Sequence, residues 1–209
     1  MKITVIGASA GIGLQCTRLA LEEGHEVATL SRRIVPLPDH VKLRRVQGSG
    51  ATSLNDVRAA VDGAEAILVT LGVKSPLATT LFSDSARILR RVVEEMGSSP
   101  ILIVLTGFGT GESWSYNSLP MRMLFTLLLK KVYADKSEQE RVITSGYPRW
   151  EIVRPGRLTN GAMTSRYRVL DHLVEGMRVS AIARSDVAHF MLAQAEHPTY
   201  LGKYVALTY

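Results

Sequence analysis

The chain opens on a strand that runs straight into a glycine-rich turn, and this junction constrains its fold more than any other feature. Lys2–Ile6 reads as a short apolar strand, and Gly7-Ala8-Ser9-Ala10-Gly11-Ile12-Gly13 reads as the turn. Residues 12–23 follow with Ile12, Cys16, Leu19, Ala20 and Glu23 at helical spacing, and Gly24 closes the segment as a helix C-terminal glycine. Glycines let such a turn close tightly and bring backbone N–H groups up to a pyrophosphate. The helix N-terminus adds unpaired donors and a partial positive charge. The turn therefore predicts a dinucleotide site at Gly7, Ser9, Ala10, Gly11, Ile12 and Gly13, with the Ser9 hydroxyl as a further donor. The run has no Walker lysine, which argues against nucleoside triphosphate hydrolysis.

Alternation of strand and helix continues along the chain. Glu26–Ser31 and residues 41–47 read as strands two and three. Residues 53–61 read as a helix with Ser53 as N-cap and Asp56 three residues on. Residues 66–71 are apolar enough for a strand buried on both faces. A long helix is expected over 75–96, with Leu81, Ser85, Ile88, Leu89, Val92, Val93 and Met96 inward. Strands are expected at 101–106, 150–154, 178–183 and 203–207. Helices are expected at 121–144 and at 185–196, the last capped by Ser185. Repeated βα units predict an α/β fold of Rossmann type: a doubly wound, mostly parallel sheet with helices on both faces. At 209 residues the expectation is a single domain.

The second strand ends Leu30-Ser31-Arg32-Arg33, where an NAD-binding unit usually presents an acid to the ribose 2′-OH. With no carboxylate there, Arg32 suits a 2′-phosphate and the adenine face, with Ser31 and Arg33 as further donors. NADP(H) is thus expected over NAD(H).

Net charge is +6, but the basic residues fall in small scattered groups without an aromatic-interleaved stripe, so a nucleic-acid partner is not expected. The five histidines, His25, His40, His172, His189 and His197, have no ligand spacing, and no metal is expected. Cys16 is the lone cysteine, which suits a reducing cytoplasmic setting. The most apolar stretch, 119–129, contains Pro120 and Arg122 and is too short to span a bilayer. No signal peptide is read at the N-terminus.

With these residues placed, the chain resembles the atypical short-chain dehydrogenase/reductases of NmrA-like fold, and within them the biliverdin and flavin reductase group. The spacing Gly-x-x-x-Gly-x-Gly matches the short-chain dehydrogenase/reductase pattern and is one substitution, Ala10 for Gly, from the Gly-x-x-Gly-x-x-Gly form of the atypical members; the resemblance extends through residues 27–33, 66–72, 104–107, 132–146, 152–156 and 182–192. It implies a short C-terminal region forming an open substrate cleft over the nicotinamide. It implies cofactor contacts from Leu71-Gly72-Val73, from Leu105-Thr106-Gly107, and from Pro155-Gly156-Arg157-Leu158. Relatives end the third strand in Gly-Asp with the acid near adenine. Here Gly48-Ser49-Gly50 stands instead, leaving Ser49 and Gly50 as the adenine-side candidates.

Standard members of the superfamily supply a proton from the Tyr of Tyr-x-x-x-Lys. This chain carries Tyr133-Ala134-Asp135-Lys136, one residue shorter, which still leaves Tyr133 and Lys136 on neighbouring helix positions. Tyr133 reads equally as a partly buried helix aromatic. Thr106 stands where relatives carry an orienting hydroxyl, and Gly107 falls where the group's biliverdin reductase has its serine. Thr106, Tyr133 and Lys136 are the catalytic candidates. The implied reaction is hydride transfer from NADPH to a planar small-molecule acceptor (flavin, quinone or biliverdin-like). Met121, Met123, Leu124, Phe125 and Trp114 read either as a flap over the cleft or as ordinary core and dimer contact. The alternatives are a non-catalytic NADP(H) sensor acting through a protein partner and, more remotely, a sugar epimerase or dehydratase.

Overall fold

The computed structural model describes residues 1–73, 79–116, 129–174 and 177–209. The chain order is β1 (Lys2–Ile6), α1 (Gly11–Glu22), β2 (Glu26–Ser31), β3 (Leu43–Gln47), α2 (Leu54–Val61), β4 (Ala66–Val69), α3 (Leu81–Glu95) and β5 (Ile101–Leu105). A 3₁₀ turn (Gly111–Tyr116) follows, then α4 (Lys130–Thr144), β6 (Trp150–Pro155), β7 (Arg157–Thr159), β8 (Arg168–Leu170), β9 (Ala181–Ala183), α5 (Arg184–Glu196) and β10 (Tyr204–Thr208). The main sheet has eight strands in the order β3-β2-β1-β4-β5-β6-β10-β8. All of its pairings are parallel except the last, where β8 runs antiparallel to β10. β7 and β9 form a separate two-stranded parallel ribbon.

The period of two along each strand sorts its side chains into two layers. Ile3, Val5, Leu68, Ile103, Val153 and Val205 point to the face covered by α1 and α5, where Cys16, Ala20, Ala188 and Met191 meet them. Ile6, Ile67, Val69, Leu102, Val104 and Ile152 point to the other face, onto Val57 of α2, Leu89 and Val92 of α3, and Ile143 of α4. Helices thus cover both faces, and the doubly wound Rossmann-type architecture is the observed one. Among the described residues no helix is long and apolar enough to cross a membrane.

Local signals were good guides. Ser53 caps α2, its hydroxyl accepting from the Asp56 N–H at 3.2 Å. Gly24 takes φ +84°, the left-handed conformation that ends α1. The departures have physical reasons. β3 starts at Leu43, because Val41 is 98% exposed and faces no sheet. β4 ends at Val69, and Thr70 just beyond it donates both its N–H and its hydroxyl to the Ile6 carbonyl, at 2.8 Å and 3.0 Å. The expected strand 178–183 shrinks to Ala181–Ala183, paired to β7 rather than to the main sheet. Ser185 does not cap α5. Ala183 holds the cap position, and the Ser185 hydroxyl donates to the Gly161 carbonyl at 3.0 Å. The expected start of the long helix at Ser75, residues 121–128 of the expected 121–144 helix and the flap candidates Met121, Met123, Leu124 and Phe125 lie outside the described residues. Trp114 is described and sits in the 3₁₀ turn, half-exposed.

Candidate functional site

The parallel strands all end at one edge of the sheet, where ligands bind in folds of this kind. The glycine turn occupies that edge after β1. Gly7 has φ +96°, and a side chain there would meet the Thr70 carbonyl at 2.8 Å. Gly13 is tighter still: a Cβ would stand 2.3 Å from Thr70 Oγ1 and 2.4 Å from the Gly7 carbonyl oxygen, so α1 seats against β4 only because residue 13 has no side chain. Gly11, at φ +58°, faces open space. Among the described residues no side chain caps α1, and its first backbone bond is Leu14 N–H to the Ala10 carbonyl. The amides of Gly11, Ile12 and Gly13 therefore have no acceptor within the helix, with Gly11 exposed and Ser9 half-buried beside them. These residues fit a pyrophosphate. Gly13→Ala is expected to cost about 2 kcal/mol of stability by overpacking and to weaken NADPH binding with it. Thermal melts and a fluorescence titration check this, and an unchanged titration would remove Gly13 from the cradle.

Next to the turn, the Ser31 hydroxyl donates to the Arg33 carbonyl at 2.7 Å and folds the end of β2 over. Arg32 and Arg33 are exposed, and no ion pair among the described residues engages either one. After β3 the structure supplies the acid that this strand end lacks in sequence: Asp56 of α2 accepts from the Ser49 N–H at 3.0 Å. A Cβ at Gly50 would meet Ile6 Cγ2 at 2.7 Å, so Gly50 is an inward packing position. Leu71 is half-buried, and Gly72 and Val73 are exposed on the same edge.

The end of β5 brings the catalytic candidates together. The Lys136 ammonium donates to the Thr106 carbonyl at 2.6 Å and lies 5.1 Å from the centre of the Phe82 ring. Burial lowers its pKa to about 8, opposed by the charge of Glu140. Tyr133 Oη would be 3.1 Å from a Cβ at Gly107, so the phenol occupies the space above Gly107 that a serine side chain would need. Burial raises the Tyr133 pKa to about 12, and the phenol keeps its proton across the neutral range. Leu105 is buried as the last residue of β5. The Thr106 hydroxyl faces away from Lys136 and donates to the Glu140 carboxylate at 2.7 Å.

Sequence reading missed what holds this edge in place. Glu140 also accepts from the Thr110 hydroxyl at 2.6 Å, and from Arg154 at 3.1 Å and 2.8 Å in a two-point contact. Arg154 reaches on to Glu112 at 2.7 Å and stacks over Tyr204 at 4.0 Å. Asp135 accepts from the Phe82 and Ser83 N–H groups at 2.9 Å and 3.3 Å, capping α3 from a different helix. The one sequence signal for Arg154 was a charge inside an apolar strand.

After β6, Pro155 accepts from the Phe108 N–H at 2.9 Å. Gly156 lies against the Ser180 carbonyl, which a Cβ would approach to 2.2 Å. Arg157 and Leu158 then open β7, with Arg157 exposed.

The comparisons agree with this fold. An anaerobillin reductase from Escherichia coli O157:H7, ChuY, superposes with TM-score 0.80 at 21% identity over 100% of this chain and 97% of that one. A short-chain dehydrogenase/reductase from Veillonella parvula, solved with NADP, gives TM-score 0.76 at 15% identity over 100% and 94%. A candidate NADH-flavin reductase from Streptococcus pneumoniae gives 0.80 at 17% over 100% and 99%. In sequence, a 3-beta-hydroxysteroid dehydrogenase from Mycolicibacterium neoaurum is 38% identical over 72 residues, which span 34% of this chain and 19% of that protein. The family model described as NAD(P)H-binding matches residues 7–198, and the chain belongs to that NAD(P)H-binding family.

Proposed function

We propose that the protein is an NADP(H)-dependent oxidoreductase that reduces a planar, conjugated small molecule such as a flavin, a quinone or a bilin. The observation that carries this reading is the meeting of Tyr133, Lys136 and Gly107 at the end of β5, on the same sheet edge as the open glycine cradle. The nicotinamide supplies hydride when bound. Gly11, Ile12 and Gly13 would hold the pyrophosphate by their amides, and Arg32 with Arg33 would neutralise the 2′-phosphate. Lys136 would supply a cation to the ribose, Pro155, Gly156 and Leu158 would border the nicotinamide, and Tyr133 holds a proton at Oη. An acceptor of this class is also able to take its proton from solvent, which suits a phenol whose pKa is raised rather than lowered. Two proteins of the same fold carry reductase names, for anaerobillin and for flavin.

The test is a titration with NADPH and NADH, followed by NADPH oxidation with FMN, a quinone and biliverdin. NADPH is expected to bind more tightly than NADH and to be consumed with at least one acceptor. Arg32→Ala is expected to weaken NADPH about tenfold and to leave NADH unchanged. Absence of turnover across the panel ends the oxidoreductase reading. Tight binding without turnover transfers the weight to a redox sensor working through a protein partner, a reading that Gly107 in place of serine favours.

A further inference from the structure

At the opposite edge of the sheet, where the strands begin, α1 and α5 both end. Glu23 is the C-cap of α1, and Glu196 is the last residue of α5. His25 follows the Gly24 turn, its N–H returning to the Ala20 carbonyl at 2.9 Å, which folds the imidazole back against the helix end. His25 Nε2 stands 2.8 Å from Glu196 Oε1, with side chains 12% and 26% exposed. One ligand atom each from Glu23, His25 and Glu196 lies within 4.8 Å of the others.

We propose that Glu23, His25 and Glu196 form a binding site for a divalent first-row transition cation such as Zn²⁺. One imidazole nitrogen and two carboxylates are a donor set for such ions. Oxygen and nitrogen ligands at about 2.0–2.2 Å from a tetrahedral ion lie about 3.3–3.6 Å apart. The exposed Glu23 side chain therefore closes by about an ångström, and the ion replaces the 2.8 Å His25–Glu196 hydrogen bond, whose atoms open by about half an ångström.

Three further observations point to a cation. Both helices direct the negative ends of their dipoles at this spot, and neither has a basic residue in its last turn. Two carboxylates, one from each helix end, are held side by side within reach of the same imidazole nitrogen. His25 turns Nε2 to the cluster while Nδ1 faces the Met1 amino group at 3.4 Å, so Nε2 is the ligand atom. His189 of α5 has its own Nδ1 bonded to the Tyr167 hydroxyl at 2.8 Å. A bound ion would join the C-termini of α1 and α5, and α1 is the helix whose N-terminus forms the glycine cradle. The site does not depend on the proposed reaction.

The experiment uses the full chain after chelator treatment, titrated with Zn²⁺ by calorimetry and with Co²⁺ by visible absorption. A single saturable site per chain, a ligand-field band and a raised melting temperature are expected. Glu23→Gln, at an exposed position that leaves the core untouched, and His25→Ala are each expected to weaken binding at least about tenfold. Circular dichroism verifies that both variants fold. No band and no saturable heat up to about 1 mM cation, or an affinity that both substitutions leave unchanged, overturns the proposal. NADPH turnover in the chelated protein is a separate readout, so failure of the metal site and failure of the reductase reading are told apart.

Discussion

Arg154→Leu is expected to lower the unfolding free energy by about 3–5 kcal/mol, the cost of leaving one partner of a buried ion pair uncompensated. The Arg154 side chain is 2% exposed and that of Glu140 is 4% exposed. Without the guanidinium, the Glu140 carboxylate keeps as hydrogen-bond donors, among the described residues, the Thr106 and Thr110 hydroxyls, with the Lys136 charge near it on the same helix. Two hydroxyl donors do not offset the desolvation of a full charge. The double variant Arg154→Leu with Glu140→Leu removes both charges and is expected to lose clearly less than the single one. Urea unfolding midpoints decide it: a loss below about 1 kcal/mol for Arg154→Leu would mean that water reaches Glu140 and that the pair is not buried in solution. The effect should reach the active edge. Thr106 offers its carbonyl to Lys136 and its hydroxyl to Glu140, and Glu112 ties the 3₁₀ turn to Arg154.

Glu151→Gln is expected to stabilise the protein at alkaline pH and to flatten its pH profile. Glu151 is fully buried on β6, and neither carboxyl oxygen has a hydrogen-bond partner among the described residues. Burial raises its pKa from the ordinary 4.5 to about 8. The folded protein therefore holds this proton through a range where the unfolded chain has released it. Wherever the native state binds more protons, stability falls as pH rises. Below about pH 4.5 Glu151 costs nothing electrostatically; its penalty grows up to about pH 8 and is constant beyond. A neutral glutamine of similar shape does not titrate. The two proteins should be close in stability at pH 5, and the variant should lead by on the order of 3 kcal/mol at pH 9. Groups common to both, the histidines included, cancel in the difference. Parallel curves at the two pH values would mean that Glu151 has a partner or water that keeps it ionised.

The signals that sequence carried well were those a few residues long. The Gly24 stop, the Ser53 cap and the alternation of apolar residues in β1 and β2 each depend on neighbours within one or two turns, so each can be read without knowing what packs on it. The glycine turn belongs to the same class, since its spacing encodes the close approach itself. The placement of Tyr133 and Lys136 on adjacent positions of α4 followed from helix period alone. Strands of three residues, β7, β8 and β9, were lost or overextended because so short a run shows no period, and pairing alone defines it.

By itself, then, the sequence determined the doubly wound sheet, the sites of its turns and the edge at which a dinucleotide fits, because these follow from local periodicity and backbone freedom. Only the tertiary structure decided that the Thr106 hydroxyl turns to Glu140, that Tyr133 fills the space over Gly107, and that Asp135 caps a helix it does not belong to. The same holds for Arg154 with Glu140 and for Glu23 and His25 with Glu196. These partners are 14 or more residues apart in sequence, the last pair 171. A side chain's charge and hydrogen bonds depend on what the fold carries to it across that distance, and no local pattern records it.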